Sequence, residues 1–141
     1  MNVMRGPAAY GRGAGAYARV GVESGVMSAS PHQLIVMLFD GALASIRAAR
    51  IHMQGGHIAE KGKAISKAID IINSGLAAAL DAERGGEIAE RLASLYDYIA
   101  RLLLAANLHN DEKSLSEAET LLEDVAAAWR EIGEQAQTAA A

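Results

Sequence analysis

Cysteine is absent from this chain of 141 residues, and aromatic residues make up only 4% of it. Without cysteine there is no disulfide framework, no thiolate nucleophile and no cysteine metal site. The chain also lacks alternating runs of Val, Ile and Thr, whereas hydrophobic residues, many of them alanine, make up 51%. This composition favours a single all-α domain over a sheet protein.

The sequence has no long hydrophobic segment. Its longest strongly apolar run, Leu34 to Phe39, is far too short to span a bilayer. The amino terminus lacks the apolar core that follows a basic start in secretory signals. We therefore expect a cytoplasmic protein that does not insert into a membrane. The formal net charge of −4 argues against nucleic acid as the main partner.

Residues 1–29 differ from the rest of the chain in charge and in glycine content. They carry three arginines and one glutamate, a balance of +2, so the net charge of −4 leaves −6 for the other residues. Six of the 14 glycines lie in this segment, and glycine loses much backbone entropy when it becomes ordered. We predict a flexible basic arm over residues 1–29, a helical body over 30–133 and a disordered tail over 134–141.

Apolar residues at steps of three and four predict four helices in the body. Helix 1 begins with a capping-box pattern formed by Ser30 and Gln33, and helix 4 is expected to begin near Ser114. The pairs Gly55-Gly56 and Gly85-Gly86 mark two of the breaks. Because the connections are short, the predicted fold is all-α, an antiparallel up-and-down four-helix bundle. The predicted helices cover residues 31–54, 58–81, 87–108 and 114–133.

Two helices carry more apolar surface than a bundle of four can bury. In helix 1, a turn of about 100° per residue places Val36, Phe39 and Leu43 opposite the predicted core face. In helix 3, Leu104 and Leu108 point outward by the same geometry. These residues are either ordinary surface side chains or are covered by a partner, by the arm or by a second copy in a homodimer. We favour covering.

The sequence contains only weak signals of an enzyme or of a cofactor. The glycine-rich run 11–15 follows no strand and lacks the Lys-Ser/Thr ending of a phosphate-binding loop. No histidine follows a glutamate by three residues, as in a di-iron site. We predict no enzymatic activity, no cofactor and no metal. The alternative of a small all-α enzyme requires that arginines converge in an internal pocket, drawn from Arg47, Arg50, Arg91 and Arg101.

Several segments of the chain closely resemble the FliS-type flagellar export chaperones, which are specific for flagellin. The SASPHQLI opening, the GGEIA turn and the LYDYI run occur in the family's order and spacing, and the resemblance covers residues 10–133. The matching segments are AYARV (16–20), SASPHQLIVMLFDGAL (28–43), KAIDIINSGLAAALD (67–81), GGEIAERLASLYDYIARLLLAAN (85–107) and the Ala128-Trp129 pair.

The resemblance implies an antiparallel four-helix bundle that binds the disordered C-terminal segment of flagellin in the cytoplasm. Binding prevents premature polymerisation, and the chaperone delivers its cargo to the cytoplasmic domain of a membrane protein of the flagellar type III export gate. Tyr17 matches the family's amino-terminal tyrosine implicated in docking to this gate, and we assign Tyr10 with it.

A generic helical adaptor for another disordered regulator is the alternative among binding proteins. Helical-wheel geometry together with the resemblance predicts a flagellin-binding groove on helices 1, 2 and 3. The predicted groove residues are Val36, Phe39, Leu43, Ile65, Ile69, Ile72, Leu76, Tyr96, Tyr98, Leu104 and Leu108.

Overall fold

A computed structural model describes the backbone of residues 28–140 and the side chains of residues 28–133. Helix α1 contacts α2 and α4, and α3 also contacts α2 and α4, so the helices follow chain order around the bundle. The predicted all-α four-helix bundle is confirmed. The helices are α1 (Pro31–Gln54), α2 (Ile58–Asp70, continued by a π-helical segment Ile71–Ala77), α3 (Ala82–His109) and α4 (Glu112–Ala140).

Helix α1 begins at the predicted capping box. The Ser30 hydroxyl accepts a hydrogen bond from the Gln33 backbone N–H at 3.1 Å. The Gln33 side-chain oxygen accepts in turn from the Ser30 N–H at 2.8 Å. These two bonds satisfy backbone donors that have no partner within the helix. The start of α1 is therefore determined by its local sequence.

Helix α4 begins two residues before the predicted start, because Asp111 and not Ser114 provides its cap. The Asp111 carboxylate accepts from the Lys113 backbone N–H at 3.0 Å and from the Ser114 hydroxyl at 2.8 Å. The hydrogen bond from Ser114 is the main reason why the pKa of Asp111 is lowered. An ionised carboxylate is a strong cap acceptor, so the helix starts at the aspartate.

Glycine breaks helix α3 at the predicted position. Gly86 has φ 52° and ψ −126°, a backbone conformation that side chains with a Cβ rarely adopt. A single turn, Ala82 to Gly85, precedes the break and is capped by Asp81, whose carboxylate accepts from the Glu83 N–H at 3.1 Å. Asp81, predicted as the end of helix 2, therefore opens α3.

The two ends of the chain relate differently to the predicted domains. The arm predicted over residues 1–29, with Tyr10 and Tyr17, lies outside the described residues except for its last two positions. Helix α4 continues to Ala140, through residues for which the sequence predicts a disordered tail. The segment EQAQTAA consists mostly of good helix formers, so no residue in it ends the helix.

The core contains two residues of α1 that the sequence analysis placed on an outward face. Phe39 has no exposed surface, and Leu43 keeps only 3% exposed. Arg47 and Arg50 lie on the same side of α1 and form ion pairs with α4. The prediction of a second outward apolar face on α1 is therefore wrong for Phe39 and Leu43, which belong to the hydrophobic core. Val36, at the edge of this face, is half-buried.

A set of ion pairs joins α1 to α4 along this contact. Arg47 Nε lies 2.8 Å from Glu119 Oε2, and Arg50 Nη2 lies 2.6 Å from Glu119 Oε1. Burial raises the pKa of Glu119, but the hydrogen bonds from the two arginines outweigh burial and lower it overall. The pairs show that α1 and α4 run antiparallel, since Arg47, the earlier residue of α1, also reaches the later Glu123.

Candidate functional site

An open cleft of about 440 Å³ lies between α2 and α3. Apolar side chains from both helices meet in it: Leu104 is 59% exposed and Leu108 76% exposed, while Ile69 of α2 is half-buried. The cleft therefore brings two exposed leucines of α3 next to a half-buried isoleucine of α2. The other residues that line it are Asn73, Asp97, Ala100, Arg101, Ala105 and His109.

Small side chains on α3 leave the space for this cleft. The side chains of Ala100 and Ala105 end at Cβ, so they leave the space between α2 and α3 unfilled. Ala100 is buried and contributes to the floor. Leu104 and Leu108 are four residues apart, which places them on one face of α3 one turn from each other. The sequence thus builds an apolar floor with two projecting leucines.

Polar groups flank the apolar centre. Arg101 Nη2 lies 2.6 Å from Asp97 Oδ2, one helical turn away on α3, and both side chains are mostly exposed. Such an exposed pair adds little to the stability of the fold. Asn73 lies in the π-helical segment of α2, and π-helical turns occur frequently at functional sites. An apolar centre with a polar rim is typical of surfaces that bind an amphipathic peptide.

The structure brings three of the eleven predicted groove residues together in this cleft, namely Ile69, Leu104 and Leu108. A further six are buried with exposures between 0% and 4%, so in this structure they belong to the core and do not line the cleft. They come from α1, α2 and α3, and all of them pack in the hydrophobic core. These six residues are Phe39, Leu43, Ile65, Ile72, Leu76 and Tyr96.

Two of the six buried residues, Phe39 and Tyr96, form an aromatic pair in the core. The ring centroids of Phe39 and Tyr96 are 6.4 Å apart, with planes tilted by 55°. Tilted ring pairs at this separation are favourable beyond the area that they bury. Burial also raises the pKa of Tyr96 to about 12, so its hydroxyl stays neutral over the physiological range.

Tyr98 and Val36 do not line the cleft either. The Tyr98 hydroxyl donates to Glu117 Oε2 of α4 at 2.7 Å, and this hydrogen bond is the main reason why the pKa of Tyr98 is raised. Tyr98 therefore lies at the edge between α3 and α4. Val36 belongs to α1, near the contact with α4. The predicted groove residues of α1 therefore lie outside this cleft.

Sequence reasoning did not assign the polar residues of the cleft to the site. Asp97 and Arg101 are recognisable in the sequence as an ion pair, and their steps of four and three residues to Leu104 place all of them on one face of α3. This spacing is the sequence signal from which Asp97 and Arg101 could have been assigned to the cleft. Asn73 had no comparable signal, because a π-helical turn shifts its position relative to a regular helix.

The four arginines named for the alternative enzyme do not meet in one internal pocket, because only Arg47 and Arg50 share a partner, at the contact between α1 and α4. Arg47 and Arg50 pair with Glu119, Arg91 pairs with Glu87, and Arg101 pairs with Asp97. Within residues 28–133, no three His, Asp or Glu side chains gather in a way that would hold a metal ion. Over the same described part of the chain, no helix combines the length and apolar character needed to cross a membrane.

Comparison with known proteins identifies the family. Residues 13–136 match the family described as Flagellar protein FliS. The flagellar secretion chaperone FliS of Salmonella typhimurium is 56% identical over 121 residues, which cover 86% of this chain and 90% of the relative. The FliS of Escherichia coli is 48% identical over 120 residues, 85% of this chain and 88% of the relative. The chaperone FliSB of Pseudomonas aeruginosa is 45% identical over 113 residues, 80% and 89% of the two chains. This chain therefore belongs to the FliS family of flagellar secretion chaperones.

Proposed function

We propose that this chain binds the disordered C-terminal segment of flagellin in the cytoplasm and keeps it from polymerising before export. The observation that carries the proposal is the cleft between α2 and α3, where Leu104 and Leu108 project unburied beside Ile69. A disordered segment loses conformational entropy when it binds, so its partner must offer apolar area in return. The cleft offers this area beside a bundle whose core side chains are buried.

The geometry suits a cargo segment that forms a helix on binding. Leu104 and Leu108 are one turn apart, so apolar cargo side chains at steps of three and four residues fit around them. The rim formed by Asp97, Arg101 and Asn73 contacts the polar side of the same segment. Apolar cargo residues held in the cleft are hidden from other flagellin subunits. This mechanism requires no nucleotide, no cofactor and no chemical step.

Calorimetry with a purified C-terminal segment of flagellin tests the proposal. The expected result is saturable binding of one segment per chain, with a dissociation constant in the micromolar range or below, and a negative heat-capacity change from apolar burial. The comparison is an unrelated disordered segment of equal length and similar charge. Equal affinity for both segments would instead support the generic helical adaptor, and absence of binding would overturn the proposal.

We further propose that the chain delivers this cargo to the cytoplasmic domain of the export-gate membrane protein, and that Tyr17 and Tyr10 take part in docking. The support is the resemblance of AYARV (16–20) to the family's amino-terminal segment. A Tyr17→Ala variant is expected to bind the flagellin segment with unchanged affinity and to lose binding to the purified gate domain. Unchanged binding to the gate domain would exclude Tyr17 from docking.

A further inference from the structure

Lys61 is the buried charged side chain of the described residues, with 3% of its surface exposed. A lysine in apolar surroundings costs free energy unless its ammonium group is hydrogen-bonded. The Lys61 Nζ donates to the Asn107 backbone carbonyl at 3.0 Å and to the Asn110 side-chain oxygen at 3.0 Å. Lys61 belongs to α2, whereas both acceptors belong to the end of α3, so this amine links the two helices that border the cleft.

The linked end of α3 is a place where an ammonium group is favourable. The last carbonyls of a helix have no hydrogen-bond partner within the helix, and they form the negative end of its dipole. Asn110 ends α3 in a left-handed conformation with φ 52°. Its backbone N–H donates to the Ala106 carbonyl, which leaves the Asn107 carbonyl for Lys61. Lys61 therefore caps α3 from the neighbouring helix.

The capped turn contains two residues of the cleft. Leu108 and His109 lie between the acceptors Asn107 and Asn110, and both line the cleft. Leu108 is 76% exposed, so few contacts of its own hold it in place. We infer that Lys61 is a positioning residue for the cleft: by tying the last turn of α3 to α2, it holds Leu108 where the cargo binds. This inference rests on the proposed function.

The test is the Lys61→Met variant, which keeps an unbranched side chain as far as Cε and removes the ammonium group with its donors. We expect binding of the flagellin C-terminal segment to weaken about tenfold, because the freed last turn must be ordered again when cargo binds. The matched control is Arg50→Met, which removes a partner of Glu119 on the opposite contact, between α1 and α4. This control is expected to lower the stability of the bundle and to leave the dissociation constant unchanged.

A double-mutant cycle separates positioning from general destabilisation. If Lys61 acts through Leu108, then Lys61→Met is expected to weaken binding by less than about twofold in a Leu108→Ala background. Hydrogen exchange without cargo is expected to become faster at residues 108–110 in Lys61→Met and to stay unchanged in the middle of α1. Additive effects of the two substitutions, or unchanged exchange at residues 108–110, would overturn the inference.

A second variant keeps the inference testable if Lys61→Met fails to fold. Asn110→Gly removes one of the two acceptors of Lys61, and glycine adopts the left-handed conformation at this position without strain. About threefold weaker binding is expected, since the Asn107 carbonyl still holds the amine. Wild-type affinity in a folded Lys61→Met or Asn110→Gly protein would overturn this inference and leave the proposed function intact. Absence of binding by the wild-type protein would overturn the proposed function itself.

Discussion

Replacing Leu104 with glutamate is expected to weaken binding of the flagellin C-terminal segment by about a hundredfold. The substitution removes apolar area at the centre of the cleft and introduces a carboxylate that loses water when cargo binds. Arg101 lies three residues away on the same face of α3, but its guanidinium is already paired with Asp97 at 2.6 Å, so it offers little compensation for the new carboxylate. Because Leu104 is 59% exposed, the free energy of unfolding is expected to change by only about 0.5 kcal/mol.

The chain offers a close control for this variant. Ile51 of α1 is 67% exposed and does not line the cleft, so Ile51→Glu makes the same kind of change elsewhere on the surface. Calorimetry is expected to give wild-type affinity for Ile51→Glu and a large loss for Leu104→Glu. An equal loss in both variants would mean that the segment contacts apolar surface without preference. Wild-type affinity in Leu104→Glu would exclude Leu104 from the contact.

Truncation of Phe39 is expected to have the largest effect on stability. Phe39 is fully buried and contacts the ring of Tyr96, so Phe39→Ala leaves a cavity in the centre of the bundle. Such truncations cost about 3–5 kcal/mol of unfolding free energy. Urea unfolding followed by circular dichroism measures this loss. For a bundle of this size the loss is a large fraction of the total stability.

The same substitution at an exposed leucine provides the comparison. Leu104→Ala is expected to change the unfolding free energy by no more than about 0.5 kcal/mol, because its side chain is mostly in solvent. The two variants thus distinguish a side chain that stabilises the core from a side chain that lines the cleft. A Phe39→Ala protein that keeps wild-type stability but no longer binds the flagellin segment would contradict the burial of Phe39. It would indicate that Phe39 belongs to the binding surface.

Much of the fold could be predicted because its determinants are local. The capping box at Ser30 and the glycine at position 86 act through neighbouring backbone atoms, and both lie where the sequence predicts them. The apolar side of α1 that contains Phe39 could not be placed in the same way. A helical wheel shows that a face is apolar, but it does not show which neighbouring helix covers that face. Here this side packs into the hydrophobic core, where the ring of Phe39 contacts Tyr96 of α3.

The candidate site was only partly predictable for a related reason. Leu104 and Leu108 are found from their spacing alone, because no core position of α3 coincides with them. Lys61 reads in the sequence as an ordinary surface lysine of α2. Its burial depends on the end of α3, which lies 46 and 49 residues further along the chain. Contacts of this kind follow from the packing of helices and leave no local signal.

Cargo is expected to occupy the cleft between α2 and α3. Nuclear magnetic resonance of the ¹⁵N-labelled protein, titrated with the unlabelled flagellin C-terminal segment, tests it most directly. The largest shift changes are expected at the amides of residues 69–73 and 100–109, with little change around Ile51. Large changes confined to residues outside the cleft, with none at Leu104 and Leu108, would contradict this placement of the cargo.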